Sequence, residues 1–396
     1  MKKDFRPVAA FMTLAFAIIA CSSSFEVVGT RPPPPEQSNT PIVVSAVPDE
    51  LLPHTFYYLA GGQVFRMERD GKTQTQLTSE PANVTEYDVS LVDGSVAYVA
   101  SNQLVLVNAE GSNRRMLVDG GSNDLAGIIQ SPIFSPDGQT IAYGYKGLNL
   151  YKIASGISNR LIENQYGDPL PNGAPFPIEL YWPDHYSPDG TKLLVALGHW
   201  EQVASTAIYD LDKKVLVRYA DVERYISCCN FYGGAEWSPD SSSFYAVASA
   251  HDYSFPSGEL WKVDAATGAV TTLTPVGAGE GAARMIYLPY KPYLAPDGQM
   301  YFFSAKYPES AGYSRRAPLI LIRSKPDDIT TNWTVMRPDT FELMNEALWA
   351  PDASFVVVAF APSEDVYDGG QAELIYLDGR PNVVLTAFAQ QMKWGP

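Results

Sequence analysis

Short apolar runs recur along this chain, each behind the same kind of polar turn. In "IFSPDGQTIAYGY" (133–145) the turn is Ser-Pro-Asp-Gly and the run is "IAYGY". The turn or a variant of it follows Leu91, Phe134, Tyr186, Trp237, Leu294 and Trp349, at intervals of 43 to 57 residues. The runs behind it are "VAYVA", "IAYGY", "LLVAL", "FYAVAS", "MYFFSA" and "FVVVAF". A second strand such as "LNLYKI", "ELWKVD" or "ELIYLD" comes next, then a polar turn and often a closing strand that ends in "LT". Short β-branched and aromatic runs bounded by Gly, Pro and Asp read as strands, so each unit predicts four of them. The turn residues explain themselves. Pro presets φ, Asp caps the turn with its side chain, and Gly accepts a positive φ.

Two leftover pieces set the number of units. "FYYLAGGQVFRMERDGKTQTQLT" (56–78) has the last three strands of a unit, and the C-terminal "AFAQQMKWGP" reads as a first strand with Trp394 in the aromatic position. Joined, they make a seventh unit from both ends of the chain. Four-stranded repeats of this period predict an all-β fold, a β-propeller, because one unit cannot bury both its faces alone. Seven blades is the expectation, with six as the fallback. The "WSPDG…IAF…IY..D..G…LT" pattern over residues 55–396 resembles the TolB-like, WD-repeat-related β-propellers of bacterial envelope proteins. That resemblance implies the fold and an envelope setting, and tilts the expected partner towards a protein. The Asp-box of sialidases has a residue between Asp and Gly that is missing here.

The N-terminus stands apart. Lys2, Lys3 and Arg6 precede the apolar stretch Val8–Ala20, which is shorter than the about 20 residues of a membrane span and suits a signal peptide. It ends "IIAC", which resembles a bacterial lipoprotein signal box through Ile18, Ala20 and Cys21. The resemblance implies cleavage after residue 20 and lipid on Cys21. Residues 21–53 include "RPPPPEQSNTP" and read as an extended, disordered tether, with the propeller from 54 to 396. Charge narrows the partners: 44 acidic residues against 28 basic ones give a net −16. Phosphate-backbone binding needs the opposite sign, so no nucleic acid is expected, and the membrane is reached only through the lipid.

Within a blade, strands a to d run from the axis outward. The repeated turn joins a to b and shares a face with the c–d turns, which are all short. On the other face the connections lengthen from blade 4 onward. They include "NQYGDPLPNGAPFPIELYWPDH", "GHWEQVAST", "DVERYISCCNFYGGAE", "AHDYSFPSG", "VGAGEGAARMIYLPYKPY", "KYPESAGYSRRAP" and "APSEDVYDGG". Long loops cost entropy to order and are commonly functional. Their aromatic rings suit a wet recognition surface. The expected ligand face is Tyr181, Trp182, His185, Trp200, Phe231, Tyr232, Tyr253, Tyr290 and Arg315, although about half of such rings should pack beneath their own loops.

Two further motifs carry chemistry. Cys228 and Cys229 are adjacent in an exported setting, where they either close a strained vicinal disulfide or stay as unpaired thiols. Asp184 and His185 form a weak metal or acid/base pair, and Glu179, Asp184, Glu236 and Asp252 are carboxylates that fit glycoside cleavage if they converge. No G-x-S-x-G elbow, H-E-x-x-H, CxxC or phosphate-binding Gly loop occurs, so no cofactor is expected. The sequence therefore favours a lipid-anchored module that binds an envelope protein or a glycan. The alternative is a propeller glycoside hydrolase or lyase.

Overall fold

Each apolar run behind the repeated turn is a strand buried on both sides. In Val96–Ala100 all five residues are buried. Val96, Tyr98 and Ala100 join Tyr57, Leu59 and Val64 in one core, whereas Ala97 and Val99 join Ile141 and Tyr143 in the next. Alternate side chains thus serve alternate cores, which is why the run shows no polar alternation. Burying each such side chain contributes roughly 1.5–3 kcal/mol.

The computed structural model describes residues 50–121, 127–169, 173, 176–199, 202–219, 232–249, 258–274, 277–278, 285–308, 310, 314–330 and 332–396. All belong to the second of two units, Met1–Ala46 and Val47–Pro396. Four-stranded antiparallel blades follow one another along it. Blade 2 opens with Val84–Val89, blade 3 with Gln130–Phe134, blade 4 with Phe176–Tyr186, blade 5 with Tyr232–Trp237, blade 6 with Met285–Leu294 and blade 7 with Met344–Trp349. Blade 1 shares a strand with blade 7. Val383–Trp394 pairs first with Gly370–Tyr376 as strand d of blade 7, then with Phe56–Ala60 as strand a of blade 1. One seven-stranded sheet results, made of two blades. Seven hydrophobic cores each join two consecutive blades, and the core of Phe355, Leu374, Phe56 and Tyr58 closes the ring. The protein is a seven-bladed β-propeller closed by both ends of the described chain.

The repeated turn has the expected chemistry. Ser135 Oγ donates to Asp137 Oδ1 (2.6 Å), the Gln139 amide donates to the same oxygen (3.0 Å), and the Gly138 amide closes on the Ser135 carbonyl (2.8 Å). Gly138 sits at φ +68°, in the left-handed region. The Ser187–Asp189 and Ser238–Asp240 turns repeat these bonds, and the bonds hold both carboxyls at about 2.

Several expectations need correction. In blade 2 the strand ends at Val89 (4 % exposed), and Leu91 lies at the turn tip, 60 % exposed, because Ser90, closing on Ser95, takes the place that Ser135, closing on Thr140, holds in blade 3, and Asp-Gly stands one position later in a turn of the same length. "GHWEQVAST" is mostly sheet: Lys192–His199 and Gln202–Asp210 pair as far as His199 with Gln202. The segments entering blades 4 and 6 also fold as sheet. Gln165–Gly167 pairs with the lower-numbered end of Phe176–Tyr186, and Gly277–Ala278 does the same for Met285–Leu294. The packed body also begins before residue 54, since Leu52 is buried between blades 7 and 1 and its amide donates to the Arg69 carbonyl. Among the described residues no helix is long and apolar enough to cross a membrane.

Candidate functional site

Every innermost strand slips register against its neighbour: at Val84/Glu86, Gln130/Ile133, Pro183/His185, Tyr232/Ala235, Tyr290/Tyr293, Met344/Glu346 and opposite Tyr57/Leu59. Such bulges re-aim side chains, and three of them place Ser131, Lys291 and Gln391 at positive φ. The charged residues of these strands form a network about the axis. Lys393 of blade 1 meets Asp88 of blade 2 at 3.0 Å. Glu346 of blade 7 accepts the Gln391 and Met392 amides of blade 1 at 2.7 and 2.9 Å. Glu86 and Asp88 accept the Ser131 and Phe134 amides of blade 3. These carboxylates tie blade to blade.

Asp184, His185 and Glu236 carry the remaining acid–base chemistry. His185 Nδ1 lies 3.2 Å from Asp184 Oδ1, and the two side chains stay 55 % and 39 % exposed although both sit on an innermost strand. Solvent reaches both, yet enough protein surrounds them for burial to bear on their charge. The Asp184 carboxylate pushes the His185 pKa up, against burial and with help from Glu236. Burial works against ionising Asp184, but His185, Lys393 and Lys291 outweigh it and hold its carboxyl below the usual range. Glu236, on the neighbouring strand, is raised to about 7 by burial, with His185 pulling the other way. Burial also lowers Lys291, opposed by Glu346 and Asp184. Of the three, Glu236 is the one placed near neutral pH. Among the described residues no group of three or more His, Cys, Asp or Glu is arranged to hold a metal, so the weak Asp184–His185 metal pair gains no further ligand.

A second cluster lies on the face of the b–c connections, between blades 6 and 7. Arg315 Nη1 donates to the carbonyls of Glu364 (2.5 Å) and Val366 (2.8 Å), and Nη2 donates to Asn345 Oδ1. The Asn345 amide donates in turn to Val366 and Gly369. The Tyr290 hydroxyl donates to the Met344 and Asn345 carbonyls, and burial raises its pKa to about 12. These bonds hold Tyr367 over the Arg315 guanidinium, 4.7 Å from ring centre to Cζ, with the Tyr367 side chain largely in solvent at 70 % exposure. Beneath lies a cavity of about 170 Å³ lined also by Ser314, Ala317, Leu319 and Met344.

The residues anticipated for the ligand face divide. Tyr181 is buried (2 %) between blades 3 and 4, and its hydroxyl is bonded to Glu179 and Gln165, so it is a core residue. Trp182 is wedged in the sheet: a Cβ at Gly198 would collide with its ring, and one at Gly144 would come within 2.7 Å of its Cβ. Arg315 is a loop staple that makes three hydrogen bonds to blade 7. His185 faces the axis, and Tyr290 lines the cavity. Glu179 forms a two-pronged pair with Arg218 (2.7 and 2.6 Å). Cys21, Trp200, Phe231, Tyr253, Cys228, Cys229 and Asp252, with the side chain of Tyr232, lie outside the described residues. Tyr367, Asn345, Lys291 and Lys393 had no signal of their own in the sequence. Only the position of Tyr367 in the "APSEDVYDGG" connection pointed towards it.

No family model matches the chain, and no curated protein matches it. Solved structures do. TolB from Acinetobacter baumannii is 17 % identical with a TM-score of 0.44, covering 84 % of this chain and 79 % of that one. A GH74 xyloglucanase from Xanthomonas campestris is 13 % identical with a TM-score of 0.53, covering 82 % and 51 %. A prolyl endopeptidase is 13 % identical with a TM-score of 0.51, covering 86 % and 50 %. The chain spans about half the length of the last two. At these identities the likeness concerns the fold, and propellers host many unrelated functions.

Proposed function

We propose that this protein is a binding module of the cell envelope, held outside the cytoplasm by lipid on Cys21 and presenting the b–c and d–a face of blades 4–7 to a protein or glycan partner. The asymmetry of the two faces carries this reading. On one face the a–b turns of successive blades close by the same short bonds. On the other, the b–c connection grows from two residues in blades 1–3 (Gly61–Gly62, Ser101–Asn102, Tyr145–Lys146) to residues 250–257, 309–319 and 361–369 in blades 5–7. The described part of that lengthened face is held by the Arg315 and Asn345 hydrogen bonds and offers an exposed aromatic ring. A preformed surface loses little entropy on binding. A photo-crosslinker at Ser314 in the full-length chain in native membranes should give a discrete adduct, and one at Asp297 on the opposite face should not. Adducts from Asp297 alone would overturn the assignment.

One observation favours a second reading, a glycoside hydrolase. Glu236 titrates near 7 and Asp184 is held ionised beside the same imidazole, the division of labour that acid-assisted glycoside cleavage uses. Product analysis on envelope and plant polysaccharides decides it. Cleavage by the wild type that disappears in Glu236→Gln would establish the enzyme, and no product from either would leave the binding module.

A further inference from the structure

The core between blades 5 and 6 does not fill the space between them. Its packed part joins Tyr245, Val247 and Leu260 of blade 5 to Met300, Phe302 and Ile322 of blade 6. Beside it lies a cavity of about 450 Å³, within the roughly 300–1,000 Å³ of pockets that take a small molecule. One wall is the sheet of blade 6, with Phe302, Ser304 and Lys306 alternating along the strand Met300–Pro308. Ile322 and Ile320 stand opposite the first two on the strand Ile320–Ser324, and Pro289 pairs with Ser304 from the other side. Trp333 of the outermost strand, 48 % exposed, adds its ring, Ile329 lines the end near Ile322, and the exposed Lys306 stands at the other end.

Shape and chemistry narrow the occupant. From Phe302 to Lys306 the slot follows four steps of a strand, about 14 Å at 3.4 Å per residue. An extended hydrocarbon chain advances about 1.25 Å per carbon, so this length takes about eleven carbons. Spread over it, the volume gives a cross-section of about 32 Å², against about 20 Å² for one hydrocarbon chain at van der Waals spacing, so one chain fits and two do not. The walls carry few polar groups: the hydroxyls of Thr274, Ser304 and Thr330 and the Lys306 ammonium. Thr274 Oγ1 already accepts the Leu260 amide at 2.9 Å. A peptide would bring an N–H and a C=O with every residue, and a saccharide several hydroxyls with every ring, against Pro, Phe, Ile and Trp side chains that cannot answer them. An unbranched hydrocarbon brings none and extends the core of Phe302, Ile322 and Ile329.

We propose that the slot between blades 5 and 6 binds the hydrocarbon chain of a single-chain amphiphile, about ten to twelve carbons long. Phe302, Ile320 and Ile322 form its floor and Trp333 its flank, and the polar head stays in solvent at the Lys306 end. The slot is a site in its own right and stands whether or not a partner docks on the b–c face.

The test is photoaffinity labelling of the full-length chain in native membranes, with dodecanoic acid that carries a diazirine in its chain. Irradiation should place adducts on slot residues such as Ile320 and Trp333, located by mass spectrometry of the peptides. Unlabelled dodecanoic acid should compete. Each buried methylene strengthens binding by up to about fourfold, so octanoic acid should compete at least tenfold more weakly. Hexadecanoic acid should compete no better than dodecanoic acid, because the slot is then full. Ser304→Phe, which fills the slot, and Thr330→Trp, at an exposed position, should each cut labelling at least fivefold in protein that melts like the wild type. Three results would overturn the proposal: no adduct in the slot, competition that ignores chain length, or labelling indifferent to both variants. A diazirine-bearing diacyl phosphatidylglycerol that labels the slot as strongly as the free acid would give the site to a bilayer lipid and refute the single-chain assignment. Competition by xyloglucan oligosaccharides would refute a hydrocarbon occupant.

Discussion

Replacing Glu236 with Gln should stabilise the propeller at high pH and do so less at low pH. Burial raises this carboxyl from 4.5 to about 7. A group raised in the folded state favours folding below its unfolded pKa and loses that contribution as pH climbs through the folded value. Above pH 7 the native state holds an ionised carboxylate that burial disfavours, and the full penalty is about 3 kcal/mol at 1.36 kcal/mol per pKa unit. At pH 5.5 the penalty is about 1 kcal/mol, since only the unfolded chain is then mostly ionised. The unfolding entropy of the unit Val47–Pro396 comes to about 0.7 kcal/mol per kelvin at typical per-residue values. Glu236→Gln should therefore melt about 4 °C above the wild type at pH 8.5 and about 1–2 °C above it at pH 5.5. Circular dichroism melts of both proteins at one scan rate measure this. A gap that does not change with pH, or a variant that melts lower at pH 8.5, would refute the claim that burial governs Glu236.

Three further perturbations probe the same network and the ring. His185 should titrate above 6.5 by NMR, with its contribution to stability present below that pH and fading as pH rises through the raised value; Asp184→Asn should lower its pKa. Glu346→Ala leaves the Gln391 and Met392 amides without their acceptor, at about 1–3 kcal/mol each, so the melt should fall by roughly 3–8 °C, and Glu346→Gln should recover part of it. Truncation after Ala389 removes strand a of blade 1 and exposes the Phe56–Ala60 edge, so the product should fail to melt cooperatively, and a sharp wild-type-like transition would contradict ring closure.

Much of the architecture was legible because it rests on local signals. Ser-Pro-Asp-Gly dictates its turn wherever it occurs, "VAYVA" and its relatives can only be strands buried on both faces, and Trp394 stood in the aromatic position of a first strand. Leu91 misled because Val89 ends that strand and Asp-Gly stands one position later in a turn of unchanged length. "GHWEQVAST" looked like a loop because its polar residues mask the paired strands that run as far as His199 with Gln202. The site was far less legible. Glu346 and Gln391, or Arg315 and Val366, are neighbours only because consecutive blades meet, and no short-range pattern encodes that meeting. Tyr181 looked like a ligand-face aromatic, yet its alternation with Leu180 and Trp182 along an innermost strand turns it into the core. Tyr367 becomes conspicuous only when Arg315 is seen beneath it.

The claim that function resides on one face is tested most directly by cysteine protection. In a chain carrying Cys228→Ser and Cys229→Ser, Ser314→Cys and Asp297→Cys would be labelled with a soluble maleimide, first in native membranes and then after purification. Occupancy of the b–c face predicts that Ser314→Cys reacts at least fivefold more slowly in the membrane than in the purified protein, while Asp297→Cys reacts at the same rate in both. Equal rates at Ser314→Cys, or protection confined to Asp297→Cys, would contradict it.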